Sequence, residues 1–170
     1  MHHAIGDVRW PADAPDFALN PTRKGNGVKA IKEAAMLRLE SYGWKVETNW
    51  DVGTMRRPGK LDAKHVSSGN FYAFEWETGN ISSSHRALNK MFLACCTGRA
   101  IGGFLVVPSR AMYQYLTDRV GNFDELEPYF PLWEHLGDLH GAVEIIVIEH
   151  DRLDEGVPKL IKGTDGRALL

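Results

Sequence analysis

The sequence predicts an α/β (α+β) fold in which helices flank a mixed central β-sheet, with the element order α-β-β-β-α-β-α-β. Two observations predict it. An amphipathic helix is followed by three short strands separated by turns, which favours an antiparallel meander. A second helix then leads into a continuous apolar run at 101–107, which is typical of a buried strand. Because the second helix is a crossover connection, antiparallel and parallel pairs are expected in one sheet.

The first half of the chain supplies one helix and three strands. Apolar residues of the helix recur every three or four positions, at Val28, Ile31, Ala35, Leu39 and Tyr42. Gly43 follows as the residue that ends it. Alternating or aromatic-rich runs predict strands at 44–48, 60–66 and 71–78, with a basic loop at 49–59 and a turn at Ser67–Asn70.

The second half supplies the crossover helix and two more strands. A serine within 82–84 is a good candidate for a helix N-cap. The helix is expected to end at Gly98, and its apolar face consists of Leu88, Met91, Phe92 and Cys95. A further helix is predicted at 109–119, and 122–138 is predicted to be partly helical, with breaks at Pro128 and Pro131. The final strand is predicted at 142–148.

Three segments organise the chain. Residues 1–26 contain three prolines and little apolar periodicity, so they are predicted to form an irregular N-terminal arm. Residues 27–150 carry the predicted helices and strands and form one domain, which suits a chain of 170 residues. Residues 151–170 are predicted to be a polar C-terminal tail.

Composition excludes several classes of protein. With 44% apolar and 25% charged residues, the chain is neither disordered nor collagen-like, and no apolar run reaches the length of a membrane span. No signal peptide is visible, and the two adjacent cysteines, Cys95 and Cys96, indicate a reducing compartment, so a cytoplasmic location is expected. The net charge of −2 divides unevenly, because residues 1–100 hold 14 basic and 10 acidic side chains. That basic excess is compatible with a nucleic-acid partner.

Three acidic residues are predicted to lie close enough together to bind a cation. Strand alternation places Glu75 and Glu77 on one face, and the turn at 67–70 brings Asp62 of the preceding strand beside them. Carboxylates held close together raise one another's pKa unless a cation lies between them, and Mg²⁺ or Mn²⁺ prefers such oxygen ligands. A solvated face of an antiparallel sheet would also explain the two glutamates, and alternation alone leaves both interpretations open.

The motif of Asp62, twelve residues, and Glu75-Trp76-Glu77 resembles the core of the PD-(D/E)XK nuclease superfamily. A glutamate in place of the motif lysine is similar to the BamHI/BglII group of type II restriction endonucleases. One departure is that Pro58 precedes Asp62 by four residues rather than directly. The resemblance covers about residues 28–107 and implies a restriction-endonuclease-like core, so that 27–150 would be a nuclease-like domain.

The resemblance also implies an activity, a cofactor and site residues. The activity is Mg²⁺-dependent (or Mn²⁺-dependent) hydrolysis of phosphodiester bonds in double-stranded DNA by a homodimer. Asp62, Glu75 and the main-chain carbonyl of Trp76 would hold the metal, Glu33 on the first helix is a further candidate ligand, and Glu77 would orient or deprotonate the attacking water. The alternatives are a catalytically inactive DNA-binding or protein-interaction module on the same fold, and a structure-specific resolution or repair nuclease.

Seven side chains near this motif are candidates for DNA contact. They lie in the basic loop, on the second strand and on the crossover helix: Arg56, Arg57, Lys64, His85, Arg86, Asn89 and Lys90. Cations suit phosphate groups, and the histidine and asparagine suit phosphates or base edges. An ordinary solvated surface would account for each of them as well.

Overall fold

A five-stranded mixed sheet lies between helices, as the sequence predicts. The structure is a computed structural model that describes residues 1–53, 56, 58–117, 120–137 and 139–163. The helices are α1 (His2–Gly6), α2 (Lys29–Ser41), α3 (Ile81–Cys96), α4 (Arg110–Tyr113) and α5 (Phe130–Glu134). The strands are β1 (Ala18–Leu19), β2 (Lys45–Asn49), β3 (Lys60–Ser67), β4 (Asn70–Trp76), β5 (Ala100–Pro108), β6 (Ala142–Ile148) and β7 (Arg152–Leu153). None of the helices in the described ranges has the length and apolar character that crossing a membrane requires.

The central sheet joins an antiparallel half to a parallel half. Its strand order is β2-β3-β4-β5-β6, in which β2, β3 and β4 pair antiparallel and β4, β5 and β6 pair parallel. Ser67 pairs with Asn70 across the β3–β4 turn, and both central residues, Ser68 and Gly69, have positive φ. Such a two-residue turn fixes the register of the hairpin. The predicted meander, turn and crossover are therefore confirmed.

The two long helices cover opposite faces of the sheet. Helix α2 packs Ile31 and Leu39 into a core with Phe74, and α3 packs Met91 into a second core with Ala73. Adjacent residues of β4 thus point to opposite faces, as strand geometry requires. A Cβ at Gly103 of β5 would lie 2.8 Å from the Met91 sulfur, so a glycine is needed where α3 approaches the sheet.

The segments predicted to be an arm and a tail lie against each other. The expected irregular arm contains α1 and β1, and β1 pairs parallel with β7, so that Ala18 lies opposite Arg152. The Trp10 indole N–H donates to the carbonyl of Pro158 at 2.8 Å. Pairs this distant in sequence leave no local periodicity, which is why the sequence pattern did not indicate them. The division of the chain into 1–26, 27–150 and 151–170 stays a prediction.

The predicted ends of two elements and the predicted helix breaks at two prolines are wrong. Helix α4 ends at Tyr113 rather than 119, because Leu116 bridges to Asn26 and Thr117 N–H donates to the Asn26 carbonyl. Strand β4 ends at Trp76, where the chain turns toward α3. Pro128 and Pro131 do not break helices: each lies in the first turn of a short one, where a missing N–H costs nothing.

Candidate active site

All three predicted acids line one pocket of about 210 Å³ between the sheet and the two long helices. Asp62 comes from β3, Glu75 from β4, and Glu77 from the residue after β4. The cationic side chains that line the same pocket are Lys32 of α2 and Arg86 and Lys90 of α3. The hairpin register explains the convergence, because Ala63 pairs with Phe74 and the next residues along both strands are Asp62 and Glu75.

Both carboxylate oxygens of Asp62 are bonded within the protein. Oδ1 accepts a hydrogen bond from Lys32 Nζ at 2.5 Å, and Oδ2 accepts one from the Trp76 main-chain N–H at 2.7 Å. The side chain of Asp62 is 13% exposed, so water screens the ion pair with Lys32 weakly. The carboxylate is therefore held in a fixed orientation by one helix and one neighbouring strand.

Glu75 is the most strongly perturbed acid of the pocket. Burial, followed by the negative charge of Asp62, raises the pKa of Glu75 to about 8. The charges of Lys90 and Lys32 and a hydrogen bond from the Asp62 main-chain N–H act in the opposite direction. The nearby cations therefore do not fully offset the effect of burial on this acid.

Glu77 is bound to the start of α3. Its side chain is buried, Oε1 accepts from the Gly79 N–H at 2.5 Å, and Oε2 accepts from the Ser84 hydroxyl. Burial raises the pKa of Glu77, while the hydrogen bonds from Ser84 and Gly79 lower it. The carboxylate is fixed, and each of its oxygens retains a further lone pair for a water or another donor.

The cations of α3 lie in two different settings. Arg86 is exposed at the pocket. Lys90 is buried, donates to the Pro58 carbonyl at 2.7 Å and lies 5.4 Å from the ring centre of Trp50. Burial lowers the pKa of Lys90, and the charge of Glu75 raises it. Arg86 is thus accessible to a large anion, whereas Lys90 is part of the pocket wall.

Four predicted site residues lie outside the pocket. His85 packs against the rings of Tyr129 and Trp133, and Asn89 accepts from the Trp133 indole N–H at 3.2 Å, because the next position along a helix points about 100° away. Lys64 donates to the Asn49 carbonyl at 2.8 Å. The remaining one, Glu33, is exposed and forms an ion pair with Lys29 at 3.6 Å.

The basic loop is described in part. Arg56 is exposed, and Arg57 lies outside the described residues. Their proposed contacts with DNA therefore stay predictions.

Lys32 is the residue of the pocket that the sequence reasoning missed. It follows Val28 by four residues and precedes Ala35 by three, so it lies on the apolar stripe of the first helix. A lysine on a buried helical face needs a partner, because an unpaired buried charge is costly. That signal could have indicated an acidic partner inside the fold, and Asp62 is that partner.

The donor set of the pocket fits a hard divalent cation. Over the described part of the chain, no three histidine, cysteine, aspartate or glutamate side chains lie close enough together to hold a metal ion. Mg²⁺ commonly binds through only one or two carboxylates and keeps several waters. Asp62 and Glu75 supply that number of carboxylates. Burial, and then the charge of Asp62, raises the pKa of Glu75, and a bound cation would stabilise the ionised form of this buried acid.

Comparisons with known proteins match almost the whole chain. A family model described as "Restriction endonuclease BamHI" matches residues 1–167. The protein named type II restriction enzyme OkrAI, from Oceanobacter kriegii, is 51% identical over 169 residues, covering 99% of this chain and 87% of that protein. The type II restriction enzyme BamHI, from Bacillus amyloliquefaciens, is 36% identical over 166 residues, covering 92% of this chain and 75% of that enzyme.

Proposed function

The chain belongs to the family of the restriction endonuclease BamHI and is a restriction-endonuclease-like DNA nuclease, and we propose that its Asp62–Glu75–Glu77 pocket performs the hydrolysis. The substrate is double-stranded DNA, and the bond broken is a backbone phosphodiester. The observation that supports the site is the meeting of the three acids with three cations in one pocket. Negative charge from acids alone would repel a phosphate, so the cations and a metal are needed for the substrate to approach.

The cofactor we propose is Mg²⁺, with Mn²⁺ as a substitute, held by Asp62, Glu75 and the main-chain carbonyl of Trp76. Such an ion, when bound, lowers the pKa of a coordinated water and offsets negative charge on the phosphate oxygens. A hydrogen bond supports Asp62 and Glu75 as the two carboxylate ligands. The Trp76 N–H donates to the Asp62 carboxylate and thereby holds it next to the strand that contains Glu75. One oxygen of the Asp62 carboxylate is therefore oriented by the backbone of the neighbouring strand.

Glu77 is proposed to orient the attacking water and to accept its proton. Burial raises the pKa of Glu77, which makes the carboxylate a better proton acceptor near neutral pH. The bonds from Gly79 and Ser84 fix its direction, and its free lone pairs can accept from a water. In-line attack on phosphorus then breaks the bond to the 3′ oxygen.

DNA is proposed to lie across the mouth of the pocket, with Arg86 as a phosphate contact. Arg86 is exposed and lines the pocket, so its side chain can contact a phosphate that lies next to the catalytic acids. Arg56 and Arg57 of the loop before β3 are proposed to contact the same backbone. Phosphate contacts of this kind set the position of a protein on DNA and carry no sequence information directly.

A homodimer is proposed, because cutting both strands of a two-fold DNA site matches a two-fold protein. Tyr129, Leu132 and Leu136, on and beside α5, leave apolar surface exposed, and Leu132 is 62% exposed. Apolar surface in one region favours a protein contact. Sedimentation equilibrium of wild type and Leu132→Glu tests this, with a dimer expected for wild type and a shift toward monomer for the variant.

The experiment that tests the function is incubation of the protein with supercoiled and linear duplex DNA, with and without Mg²⁺ or Mn²⁺. Linear products that require the metal are expected. Binding of duplex DNA without cleavage in either metal would instead indicate an inactive DNA-binding module. Cleavage confined to branched DNA would indicate a structure-specific nuclease.

A further inference from the structure

One lysine reaches into the proposed metal site from α2. The Lys32 ammonium lies 2.5 Å from Asp62 Oδ1, and the side chains of Lys32 and Asp62 are 19% and 13% exposed. The other lysine on the same helix, Lys29, pairs with Glu33 at the surface, where both side chains are more than half exposed. The helix therefore carries one buried and one solvated ion pair a single turn apart.

The cations of the pocket are not equivalent. Lys90 donates to a main-chain carbonyl, that of Pro58, and Arg86 extends to the surface. Among the described residues, Lys32 is the cation whose charged atom bonds directly to one of the two carboxylates proposed to hold the metal. Its charge also acts on Glu75, since it lowers the pKa of that acid.

The charge already bonded to Asp62 opposes a second cation on the same carboxylate. Oδ2 accepts from the Trp76 N–H, and Oδ1 accepts from the Lys32 ammonium. A divalent ion on Oδ1 would lie within a few ångströms of the ammonium, and like charges at that separation repel strongly in a weakly screened pocket. The ion and the ammonium therefore compete for the Asp62 carboxylate.

We propose that Lys32 is the internal counter-ion of the Asp62–Glu75 pair, and that a divalent metal must displace its ammonium from Asp62 in order to bind. This inference rests on the proposed function, because it takes Asp62 as a metal ligand. Lysine suits the role, since its compact charge sits on a flexible four-carbon stem that can swing without moving the helix. The free protein consequently binds the metal more weakly than its two carboxylates alone would allow.

The test is calorimetric titration of the DNA-free protein with MnCl₂ and MgCl₂. Lys32→Met removes the charge and keeps most of the aliphatic stem, and Lys29→Met is the matched control on the same helix. We expect Lys32→Met to lower the metal Kd by roughly tenfold. Lys29→Met and the charge-retaining Lys32→Arg should stay within about twofold of wild type, and Asp62→Asn should lose binding. The titration is run at about pH 8.5, so that protons do not replace the lysine as the competitor for the carboxylates.

A second readout covers the case in which Lys32→Met folds poorly. The metal-induced rise in Tm should be larger for Lys32→Met, or for the milder Lys32→Gln, than for wild type, because tighter binding stabilises the folded state more. The counter-ion role alone would be overturned if these variants showed an unchanged or higher metal Kd and no larger rise in Tm than wild type, while Asp62→Asn still lost the metal. Wild-type protein that binds no metal would overturn the proposed metal site together with it.

Discussion

Replacing Ser84 with alanine tests how firmly Glu77 is held at the start of α3. The Ser84 hydroxyl donates to Glu77, Ser84 is fully buried, and Glu77 is 4% exposed. Without the hydroxyl, the buried carboxylate keeps its hydrogen bond from the Gly79 N–H. Hydrogen bonds to charged groups contribute about 1.5–3 kcal/mol, so the free energy of unfolding should fall by about that amount. For a chain of this size the corresponding drop in Tm is roughly 3–12 °C.

The loss should depend on pH. Burial raises the pKa of Glu77, and the Ser84 bond lowers it, so Ser84→Ala raises it further. An acid with a higher pKa in the folded state binds more protons folded than unfolded, so stability is lost as pH rises from the unfolded pKa through the folded pKa. The cost of Ser84→Ala should therefore be larger at about pH 8 than at about pH 5, because the ionised fraction of Glu77 increases with pH.

The assay is thermal and urea unfolding at both pH values, without metal. Ser82→Ala is the matched control, because Ser82 is exposed in the same helical turn, and it should change stability by less than about 0.5 kcal/mol. The same Ser84→Ala change in a Glu77→Gln background should cost only about 1 kcal/mol, since the lost bond is then between neutral groups. Equal stability of Ser84→Ala and Ser82→Ala, or an equal loss from Ser84→Ala in the wild-type and Glu77→Gln backgrounds, would refute the reasoning.

Three further predictions concern the pocket and its support. Because burial and Asp62 raise the pKa of Glu75 to about 8, the metal-free protein should lose stability as pH rises toward and through that value, and Glu75→Gln should flatten the pH profile of urea unfolding. Arg86→Ala should weaken DNA binding similarly for all duplex sequences and reduce the salt slope of the affinity by about one, measured by fluorescence anisotropy at several salt concentrations; an unchanged slope would exclude a phosphate contact. Gly103→Ala should destabilise by about 1–3 kcal/mol, because its Cβ would lie 2.8 Å from a sulfur of α3, whereas Gly6→Ala, with open space around it, should have little effect.

Local patterns predicted the central sheet and the convergence of the three acids. The β3–β4 hairpin is specified by a turn of Ser, Gly and Asn between two strands of fixed period, and this register brings Asp62 opposite Glu75. The spacing therefore explains why the two acids lie together. The side chains of α2 and α3, rather than the spacing, make this part of the sheet a pocket. The crossover helix and strand β5 were also predictable from local patterns. Apolar residues recur every three or four positions in the helix, whereas β5 is a short continuous apolar run.

Contacts between distant segments were not predictable from these patterns. Helix α4 is shorter than predicted because the chain after it pairs with Asn26, some ninety positions earlier. The pairing of β1 with β7 likewise joins the two ends of the described chain. Such contacts depend on the assembled fold, so no window of sequence around either segment carries them.

Side-chain direction also limited the site prediction. His85 and Asn89 form an i, i+4 pair beside Arg86 and Lys90, and sequence alone did not indicate which pair faces the pocket. Trp133 contacts both residues: its ring packs against His85, and its indole N–H donates to Asn89. A residue from α5 thus decides the orientation of these two residues of α3, and it lies more than forty positions away.

The central claim is that the pocket holding Asp62 and Glu75 cleaves DNA, and single-turnover cleavage of duplex DNA in Mg²⁺ tests it most directly. Asp62→Ala and Glu75→Ala are compared with wild type and with Glu40→Gln, an exposed acid on α2 outside the pocket. We expect each pocket variant to lose roughly 10²–10³-fold or more in rate while Glu40→Gln cleaves like wild type. Wild-type cleavage rates in folded Asp62→Ala and Glu75→Ala would contradict the claim.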